Sequence, residues 1–430
     1  MKNIKMTRNP FLLFLPFLIL FITIALIFPT HGNDNDEARY LMFAQNMLHG
    51  FYSPPAPNID LGNSPGYSII LMPFIALSLP LISITILNAF FYYLSIVFLF
   101  KTLEQLVSFR IALIFSLFWG FYYNGYQNVY LIISETFTSF LVCFFIFNLF
   151  RALATKNRGK TKIYIYLSGL TIGYIILTKV IFGYVVLLML VASFFLWILN
   201  RSSDYYKKGL FILFIGMATT IPYLAYTYHL TGKIFYWSSF SGENLYWMAS
   251  PYEGEYGSWI KYPADSQSKT TFFAGGKELI ELHHEKDFEE IAKYRGMKRD
   301  DVLMRISIEN IKSHPVKYIQ NCISNAGRIL FNYPYTYTLE KSTTLLRMPL
   351  TGIIVVLGLF CIFPTLKNWR KINYPLRFLL FFILLYLGAS VFACAETRMF
   401  TVAVPILLLW ISYILQKTIT IKIKLDNESV

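Results

Sequence analysis

Apolar runs close to the thickness of a bilayer recur along this chain, and that recurrence leaves few folds open to it. A helix crossing the hydrocarbon core needs about 20 consecutive apolar residues. Runs of that kind lie near 11–29, 82–100, 110–126, 130–150, 162–178, 180–199, 209–230, 347–365, 376–394 and 399–416. The run 67–80 is apolar too, but it is short and split by Pro73 and Pro80, which suits an interfacial or re-entrant helix. Only 14% of the residues are charged, against about 25% in soluble domains. The expected fold class is an all-α polytopic membrane protein with about ten transmembrane helices, in a range of roughly 8–13. The first run has no small-residue cleavage site after it and is expected to remain as an uncleaved anchor.

The net charge of +14 would suggest nucleic acid in a soluble protein. Its distribution gives a simpler account. Arg151, Lys156, Arg158, Lys160 and Lys162 fall in one short loop, and Lys367, Arg370, Lys371 and Arg377 in another. Both loops belong in the cytoplasm by the positive-inside rule. Ten spans with both termini inside satisfy both. The inner segments then hold 20 Lys and Arg against 4 Asp and Glu, and the outer segments 18 against 20. The basicity is topological, and no nucleic-acid partner is expected.

This topology divides the chain into an N-terminal membrane module 1–231 with an outer loop 30–81, a large outer loop 232–346, C-terminal spans 347–416 and a tail 417–430. Within the large loop, 276–296 and 300–331 read as helices. Asp300 can cap the second, and Pro315 suits the first turn of a new helix. The Gly-, Ser-, Tyr- and Trp-rich stretch 232–270 reads as irregular, and no internal repeat is evident. The four cysteines are scattered with no C-x-x-C pair, and read as buried small hydrophobes. No histidines show metal-ligand spacing. His283 and His284 are adjacent, and neighbours on a helix do not face one ligand. No protein-built metal cage is expected.

Chemistry concentrates at the outer ends of the spans. After the first span comes His31-Gly32-Asn33-Asp34-Asn35-Asp36-Glu37. Asp34 or Asn35 is a plausible N-cap, Tyr40, Phe43, Ala44, Met47 and Leu48 recur at helical spacing, and Gly50 is a natural stop. Such a helix would lie flat on the membrane, apolar face down. Asp36 and Glu37 could simply complement its dipole. Glu135, in Ser134-Glu135-Thr136, sits at the outer end of an apolar span, where an ionisable residue points to function. Lys179 ends another span and Arg398 begins a third, beside Glu396. A snorkelling lysine and a surface ion pair are the plain alternatives. Placed on one side at one depth, these carboxylates and cations suit group transfer from a lipid phosphate. A carboxylate would deprotonate an acceptor hydroxyl and cations would stabilise the departing phosphate.

The stretch Asn35-Asp36-Glu37-Ala38-Arg39-Tyr40, with Ala44 and Met47-Leu48, resembles the opening loop of GT-C glycosyltransferases. It is most similar to the protein O-mannosyltransferases (glycosyltransferase family 39) and the bacterial lipid A aminoarabinose transferases. Gly62-Asn63-Ser64-Pro65-Gly66-Tyr67 resembles their next segment, Ser134-Glu135-Thr136 their acidic span end, and Leu177-Thr178-Lys179 their Thr-Lys element. Gly232-Lys233 and Ser241-Gly242-Glu243-Asn244-Leu245-Tyr246 resemble the loop opening of bacterial members. His314-Pro315 with Tyr318, and Glu396-Thr397-Arg398-Met399 with Pro405, resemble two later landmarks. The likeness runs in order over about residues 10–410.

The resemblance implies a GT-C-type fold and a multi-pass plasma-membrane transferase whose site faces outward. It would move a sugar, with inversion, from a polyprenyl-phosphate donor to a glycan, lipid or protein acceptor. Asp36 would be the base, Glu37 an assisting carboxylate and Glu135 an acceptor-orienting one. Arg39, Tyr40, Lys179, Asn244 and Arg398 would bind substrate, Lys179 and Arg398 at the phosphate. Paired carboxylates near a phosphate can recruit a divalent cation. The related enzymes do not generally require one, and no cofactor is expected. The chain departs from the family where Asn63-Ser64 replaces a lysine, where Met399 replaces a tyrosine, and in lacking the lumenal sugar-binding insert of eukaryotic mannosyltransferases. The alternative is a transporter or flippase of lipid-linked sugars, though transporters tend to place ionisable groups near the midplane. A non-catalytic membrane partner would tolerate joint neutralisation of Asp36, Glu135 and Arg398. The expected result is that Asp36→Asn, Glu135→Gln and Arg398→Gln together abolish function in a complementation assay, with membrane insertion retained.

Overall fold

The computed structural model describes residues 9–33, 35–154, 157–201, 203–260, 280–335, 342–393 and 395–418. All regular elements among them are helical. The helices of eight or more residues are α1 (Leu15–Ile27), α2 (Asn35–Leu48), α3 (Pro65–Ala76), α4 (Leu81–Leu103), α5 (Phe109–Gly120), α6 (Glu135–Ala154), α7 (Arg158–Thr178), α8 (Ile181–Leu199), α9 (Asp204–Thr231), α10 (Ser241–Met248), α11 (Gly296–Ser313), α12 (Pro315–Phe331), α13 (Ser342–Lys367), α14 (Tyr374–Val391) and α15 (Thr397–Thr418). Eight of them, α4, α6 to α9 and α13 to α15, are long and apolar enough to cross a membrane. The chain is a multi-pass membrane protein.

Two expected spans are shorter than a crossing helix. The run 11–29 divides into a one-turn helix, Pro10–Leu13, and α1, which opens with Pro16 in its first turn. Proline has no N–H to continue a helix from the turn before it. The run 110–126 stops at Gly120 and resumes as the single turn Tyr123–Tyr126. The run 130–150 begins instead at Glu135, because 127–134 folds into turns. Asn88 Nδ2 donates to Leu131 O at 2.8 Å there, and Asn128 Nδ2 to Asn124 O at 3.0 Å.

Helices α6 and α15 occupy the middle of the bundle, and 72% of each spanning window is buried. Helix α6 packs on α4, α7 and α15. A seam of small residues lets α7 and α9 approach closely: a Cβ on Gly173 would lie 2.8 Å from the Gly216 carbonyl oxygen. Close approach of this kind replaces the hydrophobic effect as the driving force between helices in lipid. Both central helices begin at the end of the bundle where α2 starts, and their first residues Glu135 and Thr397 are buried.

That end holds the outer helices and loops. The apolar side of α2 is spent on protein, contrary to the expectation that it lies on lipid. Phe43 and Ala44 are fully buried, and Phe43 stacks on Tyr52 at 4.5 Å. Helix α3 and the 52–61 loop fold over the face a bilayer would otherwise cover. Asp34 lies outside the described residues.

Segments 232–260 and 280–335 form a layer with its own small core of Tyr246, Trp247, Ile260, Ile280, Phe288, Ile291, Leu303 and Ile306. The stretch expected to be irregular contains α10, while 261–270 lie outside the described residues. Helix α12 starts at Pro315 as its sequence suggests. Asp300 does not begin a helix. It lies inside α11 and accepts the Gly242 and Glu243 N–H groups at 2.8 and 3.1 Å, capping α10 from across the layer. His283 Nδ1 lies 2.7 Å and His284 Nε2 3.1 Å from the Glu255 carboxylate. Adjacent histidines share this partner because Ile280–His284 is a wider π-helical turn.

Burial pushes the Asp300 carboxyl up to about 7, against the two N–H bonds that favour its ion. The folded state therefore holds a proton that the unfolded chain releases near pH 4, so stability falls as pH rises between about 4 and 7. Asp300→Asn should flatten that fall while keeping an acceptor for the cap. Asp300→Ala should likewise lose the pH dependence and should also lose the cap, which is worth about 1 kcal/mol. Thermal unfolding in detergent across pH 4–8 measures both.

Candidate active site

Three helix ends and the start of α2 meet at the loop end of the bundle. Glu135 is the first residue of α6, Lys179 caps the C-terminus of α7, and Arg398 lies in the first turn of α15. The Glu135 side chain is 1% exposed. Its Oε1 sits 2.6 Å from Lys179 Nζ and 3.7 Å from Arg398 Nη1. Its Oε2 is buried with no hydrogen bond among the described residues. Arg398 reaches further, to Asp36 Oδ2 at 2.5 Å and, through Nε, to Glu396 at 3.2 Å. Three carboxylates thus surround two cations, and residues from 36 to 398 form one continuous charge cluster.

Local backbone chemistry fixes each contributor. The C-terminus of α7 is held against α3, because a Cβ on Gly66 would lie 2.6 Å from the Leu177 carbonyl oxygen. Tyr174 OH also donates to Gly66 O at 2.9 Å. Glycine is thus required in the Pro65-Gly66-Tyr67 turn for close approach, and that approach sets the height of Lys179. Tyr67 OH donates to Asn88 Oδ1 at 3.1 Å, tying the same turn to α4.

Asp36 and Glu37 are adjacent but diverge. Glu37 turns inward and is 3% exposed. It accepts from Thr30 Oγ1 at 2.8 Å and from the Ile132 N–H at 2.7 Å, so it pins α2 to the turns before α6. Asp36 keeps a third of its side chain exposed. Burial would raise its carboxyl, but Arg398 outweighs this, with help from Lys179 and Arg39, and holds it below the ordinary aspartate value. It is therefore ionised at neutral pH and able to accept a proton.

The remaining expected residues lie elsewhere. Arg39 pairs with Asp60 at 3.1 Å and rests on the Phe240 ring at 4.2 Å. Tyr40 is buried, donates to Ser134 Oγ at 3.0 Å and meets Tyr67 edge-on, so it braces the site and offers no open face to a substrate. Asn244 is half-buried on α10, and its side chain makes no hydrogen bond among the described residues. Sequence spacing does not point to Asp60 or Phe240. They lie 21 and 201 positions from Arg39, with no local pattern to betray them. Among the described residues, no group of three His, Cys, Asp or Glu side chains is arranged as metal ligands.

No protein-family model and no curated protein matches the chain. Solved structures do. The apo oligosaccharyltransferase of Archaeoglobus fulgidus matches with a TM-score of 0.51 at 12% identity, over 93% of this chain and 50% of that one. The same enzyme tethered to an acceptor peptide matches with a TM-score of 0.50 at 12% identity, over 94% and 49%. ArnT from Cupriavidus metallidurans, bound to undecaprenyl phosphate, gives a TM-score of 0.41 at 11% identity, over 94% and 77%. The chain spans about half the length of the oligosaccharyltransferase structures. At such identity the likeness is one of fold, and the fold is of the GT-C type that the sequence motifs resemble.

The two neighbouring carboxylates should separate on substitution. Glu37→Ala strands the buried Ile132 N–H and should destabilise the protein by about 1–3 kcal/mol. Asp36→Ala removes one member of a part-exposed ion pair and should cost under about 1 kcal/mol. Reversible unfolding in mixed micelles compares them directly.

Proposed function

We propose that the chain is a membrane glycosyltransferase that moves a sugar from a polyprenyl-phosphate-linked donor to an acceptor hydroxyl on the extracytoplasmic face, with inversion. The observation that carries this reading is the Asp36–Arg398–Glu135–Lys179 cluster at one end of a GT-C-type bundle. An ionised, part-exposed carboxylate there touches a cation at the ends of apolar spanning helices. The oligosaccharyltransferase that shares the fold is itself a transferase by name.

In this reading Asp36 takes the proton of the acceptor hydroxyl while its oxygen attacks the anomeric carbon. The bond from that carbon to the phosphate oxygen breaks, and polyprenyl phosphate leaves with the electron pair. One displacement inverts the anomeric centre. Arg398 and Lys179 meet the developing phosphate charge, and the scheme uses no metal. Arg398 couples the two halves. When its guanidinium turns toward phosphate, Asp36 loses the partner that depresses its basicity, and burial then favours the proton it must take up. Glu135 holds both cations in reach and so positions them.

Mass spectrometry of lipids that copurify with the protein should find a polyprenyl phosphate, free or carrying a sugar. Asp36→Asn should keep that lipid and lose transfer by about 10²–10⁴-fold, the usual worth of a positioned base. Wild-type transfer in Asp36→Asn would sink the assignment. Donor translocation into liposomes without covalent product would instead establish the flippase alternative.

A further inference from the structure

A chamber lies beyond the charge cluster, in the layer outside the spanning helices. It has a volume of about 570 Å³ and is walled by the 58–60 stretch of loop, the start of α10 and the 291–303 segment. That size falls within the roughly 300–1,000 Å³ of ligand pockets. Its wall includes Asp60 and Phe240, the two residues that grip Arg39. Arg39 stands one helical turn after Asp36 on α2. One rigid clamp therefore joins this chamber to the helix that carries the proposed base.

The lining is chemically mixed. Asp60 and Glu243 offer carboxylate acceptors, Arg295 and Arg299 offer guanidinium donors, and Phe240 and Tyr294 offer ring faces. Arg295 and Arg299 have no carboxylate partner among the described residues, and the Nε of Arg299 is buried without a hydrogen bond. A buried donor left unmade costs free energy that a ligand can recover. A lipid chain could use none of these groups. A hydroxyl both donates and accepts, so a ligand dense in hydroxyls satisfies the arginines and the carboxylates together and can lay an apolar ring face on Tyr294.

We infer that this chamber binds a saccharide and that the acceptor of the proposed transfer is a glycan, recognised through Arg299 and Glu243. The inference rests on the transferase reading and adds the acceptor class to it. A peptide acceptor is the rival, since the oligosaccharyltransferase with this fold has been captured with one.

The test uses the full chain in lipid nanodiscs, probed on a microarray of neutral and acidic glycans and, separately, with undecaprenyl phosphate by native mass spectrometry. Wild type should capture saccharides. Arg299→Ala and Glu243→Gln should weaken capture about tenfold or more, as expected for losing a charged hydrogen bond. Arg299→Lys keeps the charge without the planar fork and should fall between, guarding against a variant that simply misfolds. Undecaprenyl-phosphate binding should be unchanged throughout. The inference is overturned if wild type leaves the array blank while still binding undecaprenyl phosphate. It is equally overturned if all three variants capture glycans as wild type does, or if only peptides bind. Loss of undecaprenyl-phosphate binding with glycan capture intact counts against the donor reading alone.

Discussion

The arrangement at the loop end depends on one buried carboxylate. Glu135 begins a helix most of whose body is buried, and its side chain is almost wholly withdrawn from solvent. An isolated carboxylate in that position is very costly. It persists because Lys179 and Arg398 arrive from two other helices. Such a pairing adds little net stability over an apolar substitute, but removing one partner leaves an uncompensated charge worth about 3–5 kcal/mol. The consequence is geometric: α6, α7 and α15 must finish at one level. A chain that needed only stability could have closed this end with leucines. Retaining ions there keeps two cations at the ends of the spanning helices, held by a carboxylate whose second oxygen makes no hydrogen bond among the described residues.

The same electrostatics distributes the work between neighbours. Asp36 and Glu37 differ by one position, yet Glu37 is a buried bracket and Asp36 is part-exposed on Arg398. Glu37 is buried and held by a hydroxyl and a backbone N–H, so it is turned away from the exposed side where Asp36 stands. Asp36 has a single charged partner that can also serve a phosphate. In the proposed reaction Asp36, which is ionised at neutral pH in any case, is a weaker base while Arg398 holds it. A base depressed by Arg398 stays ionised, and gains strength only when the donor draws the arginine away. The ion pair thereby links donor arrival to base activation.

Much of this end of the molecule is legible in the amino-acid sequence, and the reasons are physical. Glu135, Lys179 and Arg398 stand at the ends of apolar runs, where a charge is conspicuous against the hydrocarbon constraint. Topology alone then puts them on one side. The roles of Asp36 and Glu37 are not legible to the same depth, because successive helix positions rotate by about 100° and the inward one is chosen by Thr30 and Ile132. Tyr40 is a similar case: its amphipathic spacing suits a lipid surface, whereas α3 and the 52–61 loop supply the covering surface. The shared histidine partner depends on a π-helical turn that no residue spacing announces. The Arg39 clamp joins residues far apart in sequence, so only the folded chain reveals it.

That clamp also explains how two substrates of opposite character could be served by one cluster. On the proposed reading a polyprenyl donor would keep its chain in the bilayer, and its phosphate would approach along the spanning helices, where α7 ends and α15 begins. A hydrophilic acceptor would then come through the layer that holds the chamber. The two routes meet at α2, which offers Asp36 at its first turn and Arg39 one turn later. Arg39 is neutralised by Asp60 and covered by Phe240, so it does not compete with Arg398 for the donor phosphate. Its contribution is to fix the angle of α2 between the two layers. A shift of the outer layer would be transmitted through that contact to Asp36, and acceptor recognition and base position would then vary together.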